Sequence, residues 1–439
     1  MGYPKSYVRF MCLVGLVISF VPAAEAQRIS KFDSERVLSM LDDVSKDIQK
    51  HYYDPKFHGV DWEATVRETK EKIKTAPSLN LGLAHLAAAV VSLNDSHTFF
   101  LPPSRPYKHN YGYQLKMIGE HCYITRVRPK TDAEAKGVKP GDEVVAENGF
   151  GPNRDILWKM NYRFNVLRPE PMMQLALRDV EGLPRQVEVM AKFHELARLQ
   201  DVTGDHIWDV IRDEERDEHL QRARWAQAGD SVGILKLPVF MFDRTEVFDM
   251  IGKARKHPAL IVDLRENPGG AVDTLKDFLG GIFEDEVKIA DRVGRKESKP
   301  EIAKSSHHNI FTGKLVVLVD SDSASAAELF ARVVQIQKRG VVVGDRTSGS
   351  VMEAKRYSYS QGAETKVFYG AEITESDLIM TDGKSLEHRG VTPDELLLPT
   401  AADLAAGRDP VMAHAAAMLG AKLSPEDAGK LFPYEWPPE

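Results

Sequence analysis

Ser325 is the residue in this chain whose surroundings best suit nucleophilic chemistry. It lies in Asp320-Ser321-Asp322-Ser323-Ala324-Ser325-Ala326-Ala327-Glu328, after the apolar run Leu315-Val316-Val317-Leu318-Val319 and before a helical pattern. A buried strand, a serine-rich turn and a helix start set a hydroxyl beside the unpaired N–H groups of a helix N-terminus, which can hold a developing oxyanion. The Ser325-x-x-Glu328 spacing also fits a capping box, in which the serine only satisfies a backbone N–H; on this stretch alone the cap is the commoner outcome. Asp263-Leu264-Arg265-Glu266-Asn267-Pro268-Gly269-Gly270 ends another buried strand and opens a helix. Paired glycines let backbone N–H groups approach a substrate, as an oxyanion hole requires, although a mere tight turn has the same composition. Phosphate binding is a weak third option, because neither dinucleotide nor P-loop spacing is present.

A serine nucleophile needs a base in hydrogen-bond reach and a partner that orients the base. His97, in Asn94-Asp95-Ser96-His97-Thr98, lies on a connector just past a buried helix, and Glu387 lies in Gly383-Lys384-Ser385-Leu386-Glu387-His388-Arg389-Gly390-Val391. Each also has an ordinary reading, a structural histidine and a surface carboxylate, and spacing alone does not bring the three together. Other matches are weaker. Gly229-Asp230-Ser231-Val232-Gly233 has the form of a nucleophile elbow, but a strand follows it where a helix is needed. His307-His308 has no third ligand at metal-site spacing, so no metal is expected. Cys122, in the strand-like Cys122-Tyr123-Ile124, reads as inert core rather than as a thiol nucleophile.

The elements that must position these residues fall into distinct regions. Lys5, Arg9, the apolar stretch Phe10–Phe20 and Ala24-Glu25-Ala26 have the pattern of a secretory signal peptide over 1–26, which implies a periplasmic or secreted protein. No later stretch is long and apolar enough to span a bilayer, so no integral membrane segment is expected after cleavage. Val37, Leu41, Val44 and Ile48 recur at helical spacing, and Trp62–Lys74 and Leu81–Leu93 read as two further helices, giving a helical N-terminal region over 27–104. From Tyr113–Ile118 through Gln186–Val189 short alternating runs separated by turns predict a β-rich domain over 105–193. The charged stretch 194–229 reads as a solvated connector or as a lid over a cleft. Strands alternating with helices over 230–439 predict a largely parallel or mixed sheet whose functional groups gather at the carboxyl ends of the strands. The net charge of −7, with charges of both signs interspersed, gives no basic footprint and excludes nucleic acid as the expected partner.

Taken together, these motifs resemble the C-terminal processing and tricorn-like serine peptidase family. Ser323-Ala324-Ser325-Ala326-Ala327-Glu328 matches the family's nucleophile motif, with Ser325 at the nucleophile's place and the Ala326 N–H as one oxyanion donor. Asp263 to Gly270 matches its Asp-Leu-Arg-x-Asn-x-Gly-Gly signature, whose glycine, Gly269 or Gly270, supplies the second donor. Gly390-Val391-Thr392-Pro393-Asp394 matches its closing motif, and Gly137-Val138-Lys139-Pro140-Gly141-Asp142-Glu143 is similar to a PDZ stretch. The resemblance implies an α+β multidomain fold: helical N-terminal region, PDZ-like domain, and an α/β core like that of the ClpP/crotonase superfamily. It also implies a polypeptide substrate, no cofactor, and room for a homo-oligomer.

The chain departs from Ser-Lys members of the family, which carry lysine after the last glycine of a Gly-x-x-Thr-x-Gly-Lys segment. Here Gly344-Asp345-Arg346-Thr347-Ser348-Gly349 is followed by Ser350. Tricorn-like members use a serine, a histidine preceded by a second serine, and a glutamate; Ser325, Ser96-His97 and Glu387 stand at matching positions. Lys355 would replace the missing lysine only if its loop shifted. The alternative is an inactive relative that binds peptides through its PDZ-like surface. A PDZ-like domain captures a polypeptide tail through backbone N–H groups, although Tyr111-Gly112-Tyr113-Gln114 is a poor match to a carboxylate-binding loop.

Overall fold

The computed structural model describes residues 29–195, 221–295, 298–362 and 366–437. The signal-peptide stretch and most of the charged connector, 196–220, lie outside these residues.

Helix Lys31–His51 starts where the Ser30 hydroxyl accepts the Asp33 N–H at 3.0 Å, and it buries Val37, Met40, Leu41, Val44 and Ile48 along one face. It packs with helices Trp62–Lys74 and Leu79–Val91 around Tyr52, Trp62, Leu86 and Phe100. This cluster does not close on itself. It also takes in Tyr369, Ala371 and Ile373 from the long strand Val367–Met380. The short strand Phe99–Leu101 pairs antiparallel with that strand, Phe99 opposite Glu372, in a five-stranded sheet. The N-terminal helices and the C-terminal region therefore share one sheet and one apolar cluster, and the connector carrying His97 is drawn against the core.

A second five-stranded, antiparallel sheet is built by Tyr113–Ile118, His121–Val127, Glu143–Glu147, Met172–Arg178 and Pro184–Met190 in sequence order. It has its own apolar cluster, including Ile124, Val144, Leu175 and Val189. Cys122 is buried there, and burial pushes its thiol up to about 12, so it is inert at neutral pH. Tyr107–Asn110 pairs antiparallel with Lys192–Glu195 and closes the neck of this body.

The core sheet has six strands. Val232–Lys236, Ala259–Asp263, Lys314–Val319, Val341–Gly344 and Glu395–Leu396 run parallel, and Arg224–Ala228 adds antiparallel to Val232–Lys236 at the edge. The central strands are buried on both faces, as their unbroken apolar sequences require. Helices Arg244–Ala254, Val272–Gly280 and Ala326–Ile336 cover one face, and Pro410–Met418 with Pro425–Ala428 covers the other. Residues 224–228 thus form a strand within the stretch expected to be a solvated connector: Ala228 is buried, and Gly229-Asp230-Ser231 is a hairpin turn rather than a nucleophile elbow. Among the described residues no helix is long and apolar enough to cross a membrane.

Candidate active site

The parallel strands Ala259–Asp263 and Lys314–Val319 are neighbours in register, Asp263 opposite Leu318. The loops that leave their carboxyl ends, 264–270 and 320–325, consequently lie side by side and are tied together. The Ser323 hydroxyl donates to the Leu264 carbonyl at 2.8 Å, Ala324 N–H donates to the Asn267 carbonyl at 2.9 Å, and Glu266 N–H donates to Asp320 at 2.9 Å. Asp263 and Arg265 of the signature are structural. Arg265 donates to Asp263 at 2.8 and 2.9 Å and to Asp409 at 2.8 and 3.0 Å, which anchors the strand end to the start of helix Pro410–Met418. This cationic setting holds the Asp263 carboxyl down at about 2 despite complete burial.

Ser325 enters helix Ala326–Ile336 with φ 53° and ψ −117°. A non-glycine residue in this region carries about 1–3 kcal/mol of strain, which persists only where the surroundings enforce it. They do: Ser325 N–H donates to the Ser350 carbonyl at 2.9 Å and to Glu328 Oε2 at 3.0 Å. Of the two halves of a capping box, only the glutamate-to-backbone half uses a side chain here. Glu328 N–H goes to the Ser325 carbonyl at 2.9 Å, and the Ser325 hydroxyl makes no cap bond. The hydroxyl keeps the position of a capping box beside the helix start but makes no hydrogen bond of normal geometry there.

Glu328 has a larger part than the sequence indicated. Fully buried, it also accepts from Thr347 Oγ1 at 2.5 Å, Gly349 N–H at 2.8 Å and Ser350 N–H at 2.9 Å. Burial pushes its carboxyl up to about 7, against the pull of these donors. One side chain therefore fixes both the nucleophile turn and loop 347–350. The signal was present as a charged residue inside an apolar helix start, but it reads equally as a cap partner.

Gly269 sits against Ser325. Its φ is 101°, and a Cβ there would lie 2.6 Å from Ser325 Cβ and 3.0 Å from Ala326 N. Its N–H is held by Asn267 Oδ1 at 2.8 Å, and Asn267 is itself pinned to the Leu237 carbonyl. The N–H groups of Gly270 and Ala326 have no such acceptor.

The second group of residues assembles across 291 positions of sequence. Glu387 accepts Ser96 N–H on Oε1 at 2.7 Å and the Ser96 hydroxyl on Oε2 at 2.8 Å, while Ser96 Oγ lies 2.8 Å from His97 Nδ1. Glu387 Oε2 also accepts Val351 N–H at 2.9 Å, next to the Ser350 carbonyl that holds Ser325. The connector is fixed from behind by Asp95, which accepts His97 N–H at 3.0 Å and the Thr374 hydroxyl at 2.6 Å. His388 Nε2 lies 2.9 Å from the Asn94 carbonyl. Burial holds the His97 imidazole below its usual range, opposed by Glu387, Asp95 and Glu372, so the ring is neutral at neutral pH. Ser96, His97 and Glu387 are thus brought into direct contact, and Ser325, Ala326, Gly269 and Gly270 form a second group joined to them through Ser350-Val351. Ser325 Oγ and His97 make no hydrogen bond to each other in this structure.

Among the described residues no lysine takes the missing dyad position. Lys355 is exposed on strand Met352–Gln361, over the Tyr357 ring. Lys116, from the antiparallel body, is engaged by Glu266 at 2.5 Å and Asp320 at 2.7 Å.

Comparison with known proteins agrees with this architecture. A profile of peptidase family S41 matches residues 231–397, and one of the tricorn protease C1 domain matches residues 34–76. A tail-specific protease of Haemophilus influenzae is 23% identical over 320 residues, 68% of this chain and 43% of that protein. The chloroplastic carboxyl-terminal-processing peptidase 1 of Arabidopsis thaliana is 24% identical over 363 residues, 76% of this chain and 67% of its own length. The chain thus spans under half of the first relative and about two thirds of the second. Among solved structures, mature CPAF superposes with a TM-score of 0.63 at 17% identity, covering 85% of this chain and 94% of that one. The photosystem II D1 C-terminal processing protease superposes at 0.51 and 16% identity, over 83% and 93%. These structures share the mixed α/β fold. A peptidase family S41 domain thus lies at the strand ends that carry Ser325, a tricorn protease C1 domain match lies in the N-terminal helices, and the chain is similar to tail-specific and carboxyl-terminal-processing serine peptidases.

Proposed function

We propose that this protein is an endopeptidase that hydrolyses polypeptide substrates through Ser325, His97 and Glu387, with Ser96 between the last two. The observation that carries the reading is the Glu387–Ser96–His97 hydrogen-bonded chain, built across 291 positions onto the loop that holds Ser325. In this reading Ser325 Oγ attacks the scissile carbonyl, and His97 takes its proton and returns it to the leaving amine. Glu387, acting through Ser96, stabilises the imidazolium. The Ala326 N–H is one oxyanion donor; of the two glycines, Gly270 has the uncommitted N–H and is the stronger candidate for the second. Absence of a direct Ser325–His97 bond is compatible with this role, because catalytic hydrogen bonds in unliganded sites often tighten only with substrate.

The antiparallel body over 105–193 is read as a PDZ-like domain, and 230–439 as a ClpP/crotonase-like core. The leader over 1–26 supports action outside the cytoplasm. Such chemistry needs no metal or cofactor. The test is hydrolysis of an unfolded protein by Ser325→Ala and His97→Ala. Each variant should lose at least about a thousandfold in kcat, as removal of a triad member does elsewhere. Wild-type rates in both would exclude the mechanism.

A further inference from the structure

The segment Phe432–Pro437 crosses from the core back to the antiparallel body and lies on one strip of it. The Tyr434 ring lies 4.2 Å from the Arg126 guanidinium, and its hydroxyl accepts from Gln114 Nε2. The Trp436 ring lies 5.7 Å from the Arg128 guanidinium, and the same arginine donates to the Pro437 carbonyl at 2.9 Å. Arg224 of the core edge strand donates to the Pro433 carbonyl at 2.9 Å. Arg126 and Arg128 are two apart on strand His121–Val127 and its exit, so they repeat at the spacing of alternate residues in an extended peptide, as Tyr434 and Trp436 do. This is sequence-tolerant recognition of aromatic side chains by guanidinium faces, with main-chain carbonyls held by arginine donors.

The position of the segment gives it a consequence. Tyr434 and Glu435 form part of the wall of a cleft of about 710 Å³ between the antiparallel body and the core, which extends to Pro268 of the glycine loop and Asp322 of the nucleophile loop. Tyr434, Trp436 and Pro437 also line a second cleft of about 780 Å³ on the far side, against Gln114 and Arg128. The chain's own segment lies across the strip that joins the two.

We propose that the Gln114–Arg126–Arg128 strip is a docking site for extended polypeptide segments bearing aromatic side chains at alternate positions beside proline, and that residues 433–437 are its resident occupant, which substrate must displace. Identifying the displacing partner as substrate rests on the peptidase reading; the docking itself does not. A tethered segment meets its site at an effective concentration of order mM, so even a weak contact keeps the strip occupied.

The test separates the two. In a Ser325→Ala background, a labelled peptide with the sequence of residues 432–437 is titrated into the intact chain and into the full-length chain carrying Tyr434→Ala and Trp436→Ala. The doubly substituted chain should bind roughly tenfold more tightly, because its own segment no longer competes. A peptide with both aromatics replaced by alanine should lose roughly fivefold or more. Equal binding by the two chains, or equal binding of the two peptides, overturns the docking strip. With Ser325 intact, the doubly substituted chain should hydrolyse an unfolded protein with KM lowered severalfold, and an unchanged KM overturns the competition. Differential peptide binding without hydrolysis by either chain upholds the strip and overturns only the peptidase reading.

Discussion

A hydroxyl has one proton to give, and Ser96 gives its proton to Glu387 at 2.8 Å, since an ionised carboxylate only accepts. The contact between Ser96 Oγ and His97 Nδ1 at 2.8 Å must then run the other way, with Nδ1–H donating. That assignment fixes the tautomer: the proton sits on Nδ1 and the free lone pair on Nε2, as a general base for Ser325 requires. Burial lowers the His97 pKa, opposed by the nearby carboxylates, so NMR of the ring should show titration below the ordinary imidazole value of about 6.5. In Ser96→Ala the Nδ1–H loses its acceptor and the link to Glu387 is cut. The ring should titrate lower still, and kcat should fall roughly 10–100-fold with KM little changed, within the usual range for acid–base assistance. A merely structural Ser96 would move neither the titration nor kcat independently of stability; an unchanged ring titration would refute the relay.

At the scale of elements, the site is a set of loops leaving adjacent strands, and their closeness sets the tolerance of each position. A methyl group at Gly269 would lie 2.6 Å from Ser325 Cβ, on a backbone with φ 101°. Gly383 has a similar φ of 78° but open space around it. Gly269→Ala should therefore lose at least about a hundredfold in kcat/KM, since displacement of a reacting group by 1 Å can cost that much, while Gly383→Ala bears only the backbone cost and keeps its activity. Comparable activity in the two variants would show that Gly269 is not packed against the nucleophile turn. The strand–turn–helix around Ser325 was legible because its signals are local: an unbroken apolar run, a polar turn, then helical periodicity. The glycine loop was legible for the same reason. What joins His97 to the core is not local. It depends on the pairing of Phe99–Leu101 with Val367–Met380 and on the bonds of Thr374 to Thr98 and Asp95, contacts that no short-range pattern encodes. The strand Arg224–Ala228 was hidden by charged neighbours, and the importance of Glu328 by its resemblance to a cap.

For the molecule as a whole, buried cations of the antiparallel body meet carboxylates of the core: Arg154 binds Asp345 at 2.6 Å, and Lys116 reaches the two loops of the site. The Lys116 side chain is 12% exposed and contacts Glu266 of the glycine loop and Asp320 of the nucleophile turn, while Arg126 adds a second bond to Glu266 at 2.8 Å. Burial alone would raise the Glu266 pKa, but Lys116 and Arg126 hold it well below the usual carboxylate range. A carboxylate with a lowered folded-state pKa contributes stability above its unfolded pKa of about 4.3 and loses it as pH falls. Lys116→Met keeps much of the aliphatic stem but leaves Glu266 without that partner, so its ionisation becomes less favourable in the folded state. Because Arg126 remains, the expected loss is roughly 2–3 kcal/mol at pH 8, below the range for a buried carboxylate deprived of its only partner. The deficit should shrink toward pH 4, where the Glu266 carboxylate deprived of Lys116 takes up a proton at little cost. Both loops are anchored through Lys116, so kcat for an unfolded substrate should fall along with the melting temperature. A melting deficit that is equal at pH 4 and pH 8 would mean that Lys116 acts by packing alone and that its charge does not hold the two loops.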